Sequence, residues 1–259
     1  MKLSRTNTIL AKMKEQGITH ALVSDPYSIF YLTGFLENPG ERFFAILLDE
    51  NGNHKLFLNI LFPLEEDLGL EIVSYSDTDD IISKVAEYIP DGTKLGIDKI
   101  LPARFLLPLM DKLPKTKFVD VSVLVDTTRM LKDEEEKELM RISSELNDKA
   151  CQFVIDNITE HTTEKDLVKK LLAYYEEIGV EGTSFAPIIA FGDNGANPHG
   201  MPGDRKPKPG ESVIVDIGGI KDKYCSDMTR TVFFKQPTPE DREVFEIVLE
   251  AVKRGTALV

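Results

Sequence analysis

The chain has 259 residues, a formal net charge of -13 and a pI near 4.9, with 42% hydrophobic and 29% charged residues. That balance is ample for the core of one large or two ordinary globular domains. Its Lys and Arg are scattered rather than clustered, which excludes the basic stripe a nucleic-acid partner requires. No apolar run approaches the roughly 20 residues needed to span a bilayer. The start, Met1-Lys2-Leu3-Ser4-Arg5, leads into a polar amphipathic stretch without the apolar segment of a secretion signal. The two cysteines, Cys151 and Cys225, make neither a disulfide framework nor a four-ligand zinc site. A cytoplasmic protein with reduced thiols and no membrane or nucleic-acid partner is expected.

The first half alternates between periods. An amphipathic helix from Leu3 to Gln16 precedes a strand at Ile18–Val23 and a turn at Asp25-Pro26. Strands follow at Phe43–Leu48 and Lys55–Asn59, with His54 beside a turn. A further strand precedes a helix near Asp79–Tyr88. The strand Lys94–Ile97 then leads to a helix opened by Pro102, and Lys117–Val121 closes the series. Interleaved strands and helices predict a layered α/β domain with a mixed sheet over residues 1–125. No G-x-G-x-x-G or P-loop supports a nucleotide site.

The texture changes near residues 125–132, where a second domain, 126–259, is placed. Asp133 with Glu136 predicts a capping box, and Leu139, Ile142, Leu146, Ala150 and Phe153 give a helical stripe. A second helix, capped by Thr163 with Asp166 three residues on, ends near Gly179. A loop rich in Gly, Asn and Pro runs from Gly192 to Gly210. The strands Ser212–Ile217 and Cys225–Phe234 come next, as a two-stranded ribbon. Last is a helix capped by Thr238, with Pro239 at its first position and a stripe of Val244, Phe245, Val248, Leu249 and Val252.

The chemical signal lies in that ribbon. A hairpin turning at Lys221-Asp222 pairs residues whose numbers sum to 443, which sets Asp216 opposite Asp227. Opposed side chains share a face about 4.5–5.5 Å apart at Cβ. On a strand flanked by Val213, Ile214, Val215 and Ile217, two such carboxylates must share a proton or hold a cation. Oxygen ligands suit hard ions such as Mg, Ca or Mn. A register shifted by one or two residues, with one Asp merely near the turn, stays open from spacing alone. His20, His54 and His161 read as structural or solvated, and Cys225 as a packing thiol.

Four segments in order resemble the Xaa-Pro peptidases of the pita-bread metallopeptidase family. They are Ser184–Gly192, Asn197-Pro198-His199-Gly200, Val215–Gly219 and Ser226–Thr231. Tyr31-Leu32-Thr33-Gly34-Phe35 is similar to a motif of that family's amino-terminal domain, and Arg129 and Lys132 resemble the start of its catalytic domain. The resemblance implies an amino-terminal layered α/β domain of the creatinase type, followed by the first half of a pita-bread α+β domain. It implies that Asp216 and Asp227 are the first two ligands of a dinuclear site, with Mn2+ expected and Co2+ or Zn2+ as alternatives. His199 would contact substrate and assist catalysis, and Thr229 would support a ligand.

The family completes its site with one His and two Glu from the second half of that domain, so the chain is expected to stop short of them and to be inactive alone. The activity implied for the parent is hydrolysis of short proline-containing peptides, as a dipeptidase rather than an aminopeptidase, in a homodimer. A metal-free creatine hydrolase and a non-catalytic binding module of the same fold are the alternatives. The paired aspartates speak against the first, and their retention together with His199 against the second.

Overall fold

The computed structural model describes residues 1–258; Val259, the last residue of the expected second domain, lies outside them. The chain separates into two compact units, one ending at Leu131 and the other beginning at Lys132.

The first unit runs α1 (Leu3–Glu15), β1 (His20–Val23), α2 (Pro26–Thr33), β2 (Ala45–Asp49), β3 (Lys55–Asn59), β4 (Glu71–Tyr75), α3 (Ile81–Glu87), β5 (Lys94–Ile97), α4 (Ala103–Lys112), β6 (Lys117–Asp120) and α5 (Ser122–Arg129). Its six-stranded sheet has the order β4-β3-β2-β1-β5-β6. The pairs β1–β2 and β2–β3 are antiparallel, while β3–β4, β1–β5 and β5–β6 are parallel. Both central strands, β1 and β2, are buried at every residue, as expected where helices cover both faces. Ile9, Met13 and Val125 build the core on one face. Val85 and Leu109 build it on the other. This is the layered α/β domain with a mixed sheet that the alternating pattern predicts.

Two helices depart from that pattern. The Asp25-Pro26 turn is the start of α2: the Asp25 carboxylate accepts from Ser28 N at 3.0 Å, and Pro26 occupies the first helical position. The second is α5, whose Arg129 donates to Asp25 Oδ2 at 3.3 Å and to Ser28 Oγ at 3.2 Å.

The second unit contains α6 (Glu134–Asp156), α7 (Glu164–Glu177), β7 (Gly182–Thr183), β8 (Ile188–Phe191), a 3-10 turn (Gly192–Ala196), β9 (Ser212–Ile217), β10 (Gly219–Lys221), β11 (Tyr224–Cys225), β12 (Met228–Phe233) and α8 (Pro239–Thr256). The expected capping box forms at Asp133/Glu136, and the expected caps Thr163 and Thr238 are completed into boxes by Asp166 and Asp241. The expected two-stranded ribbon gains a third strand beside β9 and another beside β10, giving two three-stranded sheets, β12-β9-β8 and β11-β10-β7. The third strand of each comes from the Gly182–Phe191 segment.

Along β9 the burial alternates. Val213, Val215 and Ile217 are fully buried against α6 and α7, together with Leu167, Leu171 and Val154. Each such side chain contributes about 1.5–3 kcal/mol relative to exposure. The intervening Ser212, Ile214 and Asp216 face the other way and are half-buried. The α6 face toward the sheets is more polar than the Leu139–Phe153 stripe implies. Its most buried residues include Ser143 at 2% exposure and Asn147 at 0%, whereas Leu139, Ile142, Leu146 and Phe153 are half-buried. The stripe of α8 is exposed along its length among the described residues.

Candidate metal-binding site

The β9–β12 ladder pairs Asp216 with Thr229 and Ile217 with Met228, so paired numbers sum to 445 rather than 443. The same register continues through Lys221–Tyr224. The turn is therefore Asp222-Lys223, with φ of 49° and 67°, the left-handed pair that a two-residue hairpin of this twist demands. The two-residue shift corrects the expected face-to-face aspartates. Asp216 stands opposite Thr229, which donates from Oγ1 to Asp216 Oδ1 at 2.7 Å. Asp227 lies one diagonal step away, just past the end of the ladder and level with Gly218.

The expected burial is corrected too. Asp216 is half-buried and Asp227 and Thr229 are exposed, because they point away from the helices. Neither carboxylate is buried enough to force a metal between them. What remains is a shared strand face with an oriented carboxylate. Thr229 occupies one lone pair of Oδ1 and leaves Oδ2 open.

A cleft of about 290 Å3 lies over this face. Asp216 and Thr229 form its floor with Ile188, Ala190 and Ile214. Gly195, Ala196, Asn197 and Pro198 of the long loop form its rim. The rim sits close to the floor: a Cβ on Gly195 would stand 2.9 Å from Ile214 Cδ1. His199 follows Pro198 directly, is exposed, and donates from its backbone N to Asn197 Oδ1 at 3.0 Å. The structure therefore brings Asp216 and Thr229 into one cleft, with Asp227 on its flank and His199 at the loop tip.

The backbone between the two aspartates is held from several sides. A Cβ at Gly218 would collide with Ser184 Oγ and the Ser226 carbonyl, so only glycine fits. Ser184 N donates to Gly218 O at 3.0 Å and Ser184 Oγ to Ser226 O at 2.8 Å. From α6, Asn147 Nδ2 donates to Ile217 O at 3.0 Å, while Tyr175 Oη donates to Asn147 Oδ1 at 2.7 Å. Ser143 Oγ donates to Tyr224 O at 3.0 Å. These donors satisfy carbonyls stranded where one sheet gives way to the other, which explains the polar face of α6. Cys225, read as a packing thiol, is exposed; Cys151 is the buried one.

Sequence reasoning passed over Asn147, Ser143 and Glu164. Glu164 is fully buried at the first position of α7, where an acidic residue is already explained by the helix dipole. The two carboxylates are hard oxygen donors of the kind that suits a divalent cation, with the Thr229 hydroxyl orienting one of them. Among the described residues, no group of three or more His, Cys, Asp or Glu side chains converges as a metal site.

Residues 138–259 match the model of metallopeptidase family M24, and residues 5–131 that of the creatinase/prolidase N-terminal domain. An uncharacterized peptidase of Staphylococcus saprophyticus is 34% identical over 263 residues, covering 100% of this chain and 73% of that protein. A prolidase from Thermococcus sibiricus superposes with a TM-score of 0.87 at 32% identity, over 97% of this chain and 70% of that one. An X-Pro aminopeptidase from Thermotoga maritima does so with a TM-score of 0.81 at 26% identity, over 94% and 70%. The chain belongs to metallopeptidase family M24, its pita-bread-type segment preceded by a creatinase/prolidase N-terminal domain.

Proposed function

We propose that a protein carrying this chain hydrolyses Xaa-Pro peptide bonds in short peptides, as a proline dipeptidase rather than an aminopeptidase. Asp216 and Asp227 are ligands of a dinuclear Mn2+ site, for which Co2+ or Zn2+ can substitute. The observation that carries this reading is the Asp216–Thr229 hydrogen bond on the open face of β9, with Asp227 diagonal to it and the Asn197-Pro198 rim above. The likeness to a prolidase and an X-Pro aminopeptidase supports the substrate class.

Metal bound there would supply an activated water and polarise the scissile carbonyl. Thr229 holds the Asp216 carboxylate in one orientation, which a metal ligand requires of its outer partner. His199, carried on the rim, hydrogen-bonds the substrate at the reacting carbonyl. The apolar floor of Ile188, Ala190 and Ile214 keeps water from that side of the cleft. Two carboxylates alone leave a cation ligated mainly by water, so Mn2+ binding through Asp216 and Asp227 is expected to be weak. The unit is proposed to work as a cytoplasmic homodimer, its -13 charge disfavouring nucleic acid.

The test is Mn2+ titration followed by water-proton relaxation. Asp216→Asn should abolish specific binding, and Thr229→Val should weaken it about tenfold. Binding that is unchanged in both variants would refute the metal assignment. In a full-length relative carrying this segment, cleavage of Xaa-Pro tripeptides as fast as dipeptides would refute the dipeptidase preference.

A further inference from the structure

Glu164 is 0% exposed, and among the described residues no Lys, Arg or His pairs with it. Its carboxylate is satisfied instead by three N–H donors spread along the loop that carries His199. Oε1 accepts from Phe191 N at 2.7 Å, where the loop leaves β8. Oε2 accepts from Asn194 Nδ2 at 2.9 Å and from Gly203 N at 2.6 Å, where the loop returns. The first turn of α7 completes the grip through its backbone: Lys165 N donates to Gly203 O at 3.1 Å, and Glu164 N to Arg205 O at 3.2 Å. Both polar backbone groups of Gly203 are therefore tied to α7, and a Cβ there would stand 3.4 Å from Glu164 Oε2. Within the ring so closed, Gly200 N donates to Asn197 O at 2.9 Å, and His199 N is held by Asn197 Oδ1.

A buried anion without a counter-ion is a costly way to fasten a surface loop. An apolar residue would fill the same volume, but it could not join both ends and the middle of the loop. We infer that Glu164 is a positioning residue: it closes residues 191–203 into a ring on the end of α7 and thereby fixes where His199 stands next to the Asn197-Pro198 rim of the Asp216 cleft. The consequence for substrate rests on the proposed reading of His199; the clamp itself does not.

The experiment compares the wild-type chain with Glu164→Gln, which keeps shape but must set an amide donor against either Phe191 N or the Asn194 and Gly203 donors. Amide hydrogen exchange should accelerate at Phe191 and Gly203 by about tenfold or more, the effect of losing a hydrogen bond to a charged acceptor. Amides in the middle of α6 and β9 should change far less. With Mn2+ added, the paramagnetic broadening of the His199 ring protons should differ between the two proteins at equal metal affinity, a shift that general destabilisation would not produce. Uniform acceleration across the unit, or none at Phe191 and Gly203, overturns the clamp. Absence of Mn2+ binding in both proteins sinks the metal reading and leaves the exchange result to decide this one. Should Glu164→Gln fail to fold, Asn194→Ala removes one donor and leaves α7 untouched. It should accelerate the same two amides by a smaller factor, and no change there overturns the inference.

Discussion

Gly218 offers the sharpest quantitative test of how the two aspartates are placed. Changing Gly218 to Ala puts a methyl into Ser184 Oγ and the Ser226 carbonyl, and within 2.8 Å of Phe185 Cε1. Phe185 is a ring that can tilt, but Ser226 is backbone. Its N–H donates to Gly219 O at 2.8 Å and its carbonyl accepts from Ser184 Oγ at 2.8 Å. Relief therefore means breaking about two hydrogen bonds, roughly 1 kcal/mol net apiece. The overpacking itself costs about 1–3 kcal/mol, and the total is about 4 kcal/mol. At a urea dependence near 2 kcal/mol per molar, the midpoint for β9 and β12 amides, followed by hydrogen exchange, should fall by about 2 M. Gly182→Ala is the control. It lies on β7, its φ is outside the left-handed region, and an added methyl would meet nothing within 4 Å. It should be neutral or stabilising by about 0.4–1 kcal/mol. Equal midpoints for the two variants would refute the close-packed bend.

Two further outcomes follow from buried polar groups. Asn147→Leu should cost about 3 kcal/mol, since it strands both the Ile217 carbonyl and the Tyr175 hydroxyl; adding Tyr175→Phe should recover part of that loss in a double-mutant cycle read by urea unfolding. In the first unit, burial pushes His54 below its ordinary 6.5, against a smaller opposing pull from Asp49, and its Nδ1 accepts from Asp49 N at 3.2 Å. Acceptance requires the neutral ring, so as pH falls the unfolded chain takes up the proton first. The stability His54 contributes is complete above about pH 6.5 and declines below it, and His54→Gln should flatten that part of the stability profile; an NMR titration placing His54 above 6.5 would refute this sign.

What was legible in the sequence was local. Each capping box, Asp133/Glu136, Thr163/Asp166 and Thr238/Asp241, is a contact three residues long, and all three formed. Asp25 was equally local, yet a Pro after it suits a turn and a helix start alike. The polar residues Ser143 and Asn147 were illegible because their partners are carbonyls some 70 to 80 residues away. Glu164 was hidden differently, since a local reason for its presence masked a tertiary one. The candidate site residues could be named from motif order, but not their geometry, which depends on a hairpin register.

That register shows which residues decide the site. A slip of one residue would drive Asp216 into the cluster of Val213, Val215 and Ile217, so the core forbids it. A slip of two leaves every side chain on its own face, and the core is indifferent to it. The choice between aspartates opposed and aspartates diagonal therefore falls to residues outside the core. One is the Asp222-Lys223 turn, whose two positive φ angles are strained for side-chain-bearing residues. Asp222 N donates to Glu181 Oε1 at 2.8 Å and Lys223 pairs with Glu181 Oε2 at 2.6 Å, which offsets that strain from the neighbouring segment. The other is Gly218, the only residue type that Ser184 and Ser226 admit opposite Asp227. Moving the turn back by one residue, which shifts the pairing by two, would carry Gly218 level with Cys225 and break the Ser226–Gly219 hydrogen bonds. Hydrophobic burial selects the face on which the carboxylates stand, and the turn and the glycine select the distance between them.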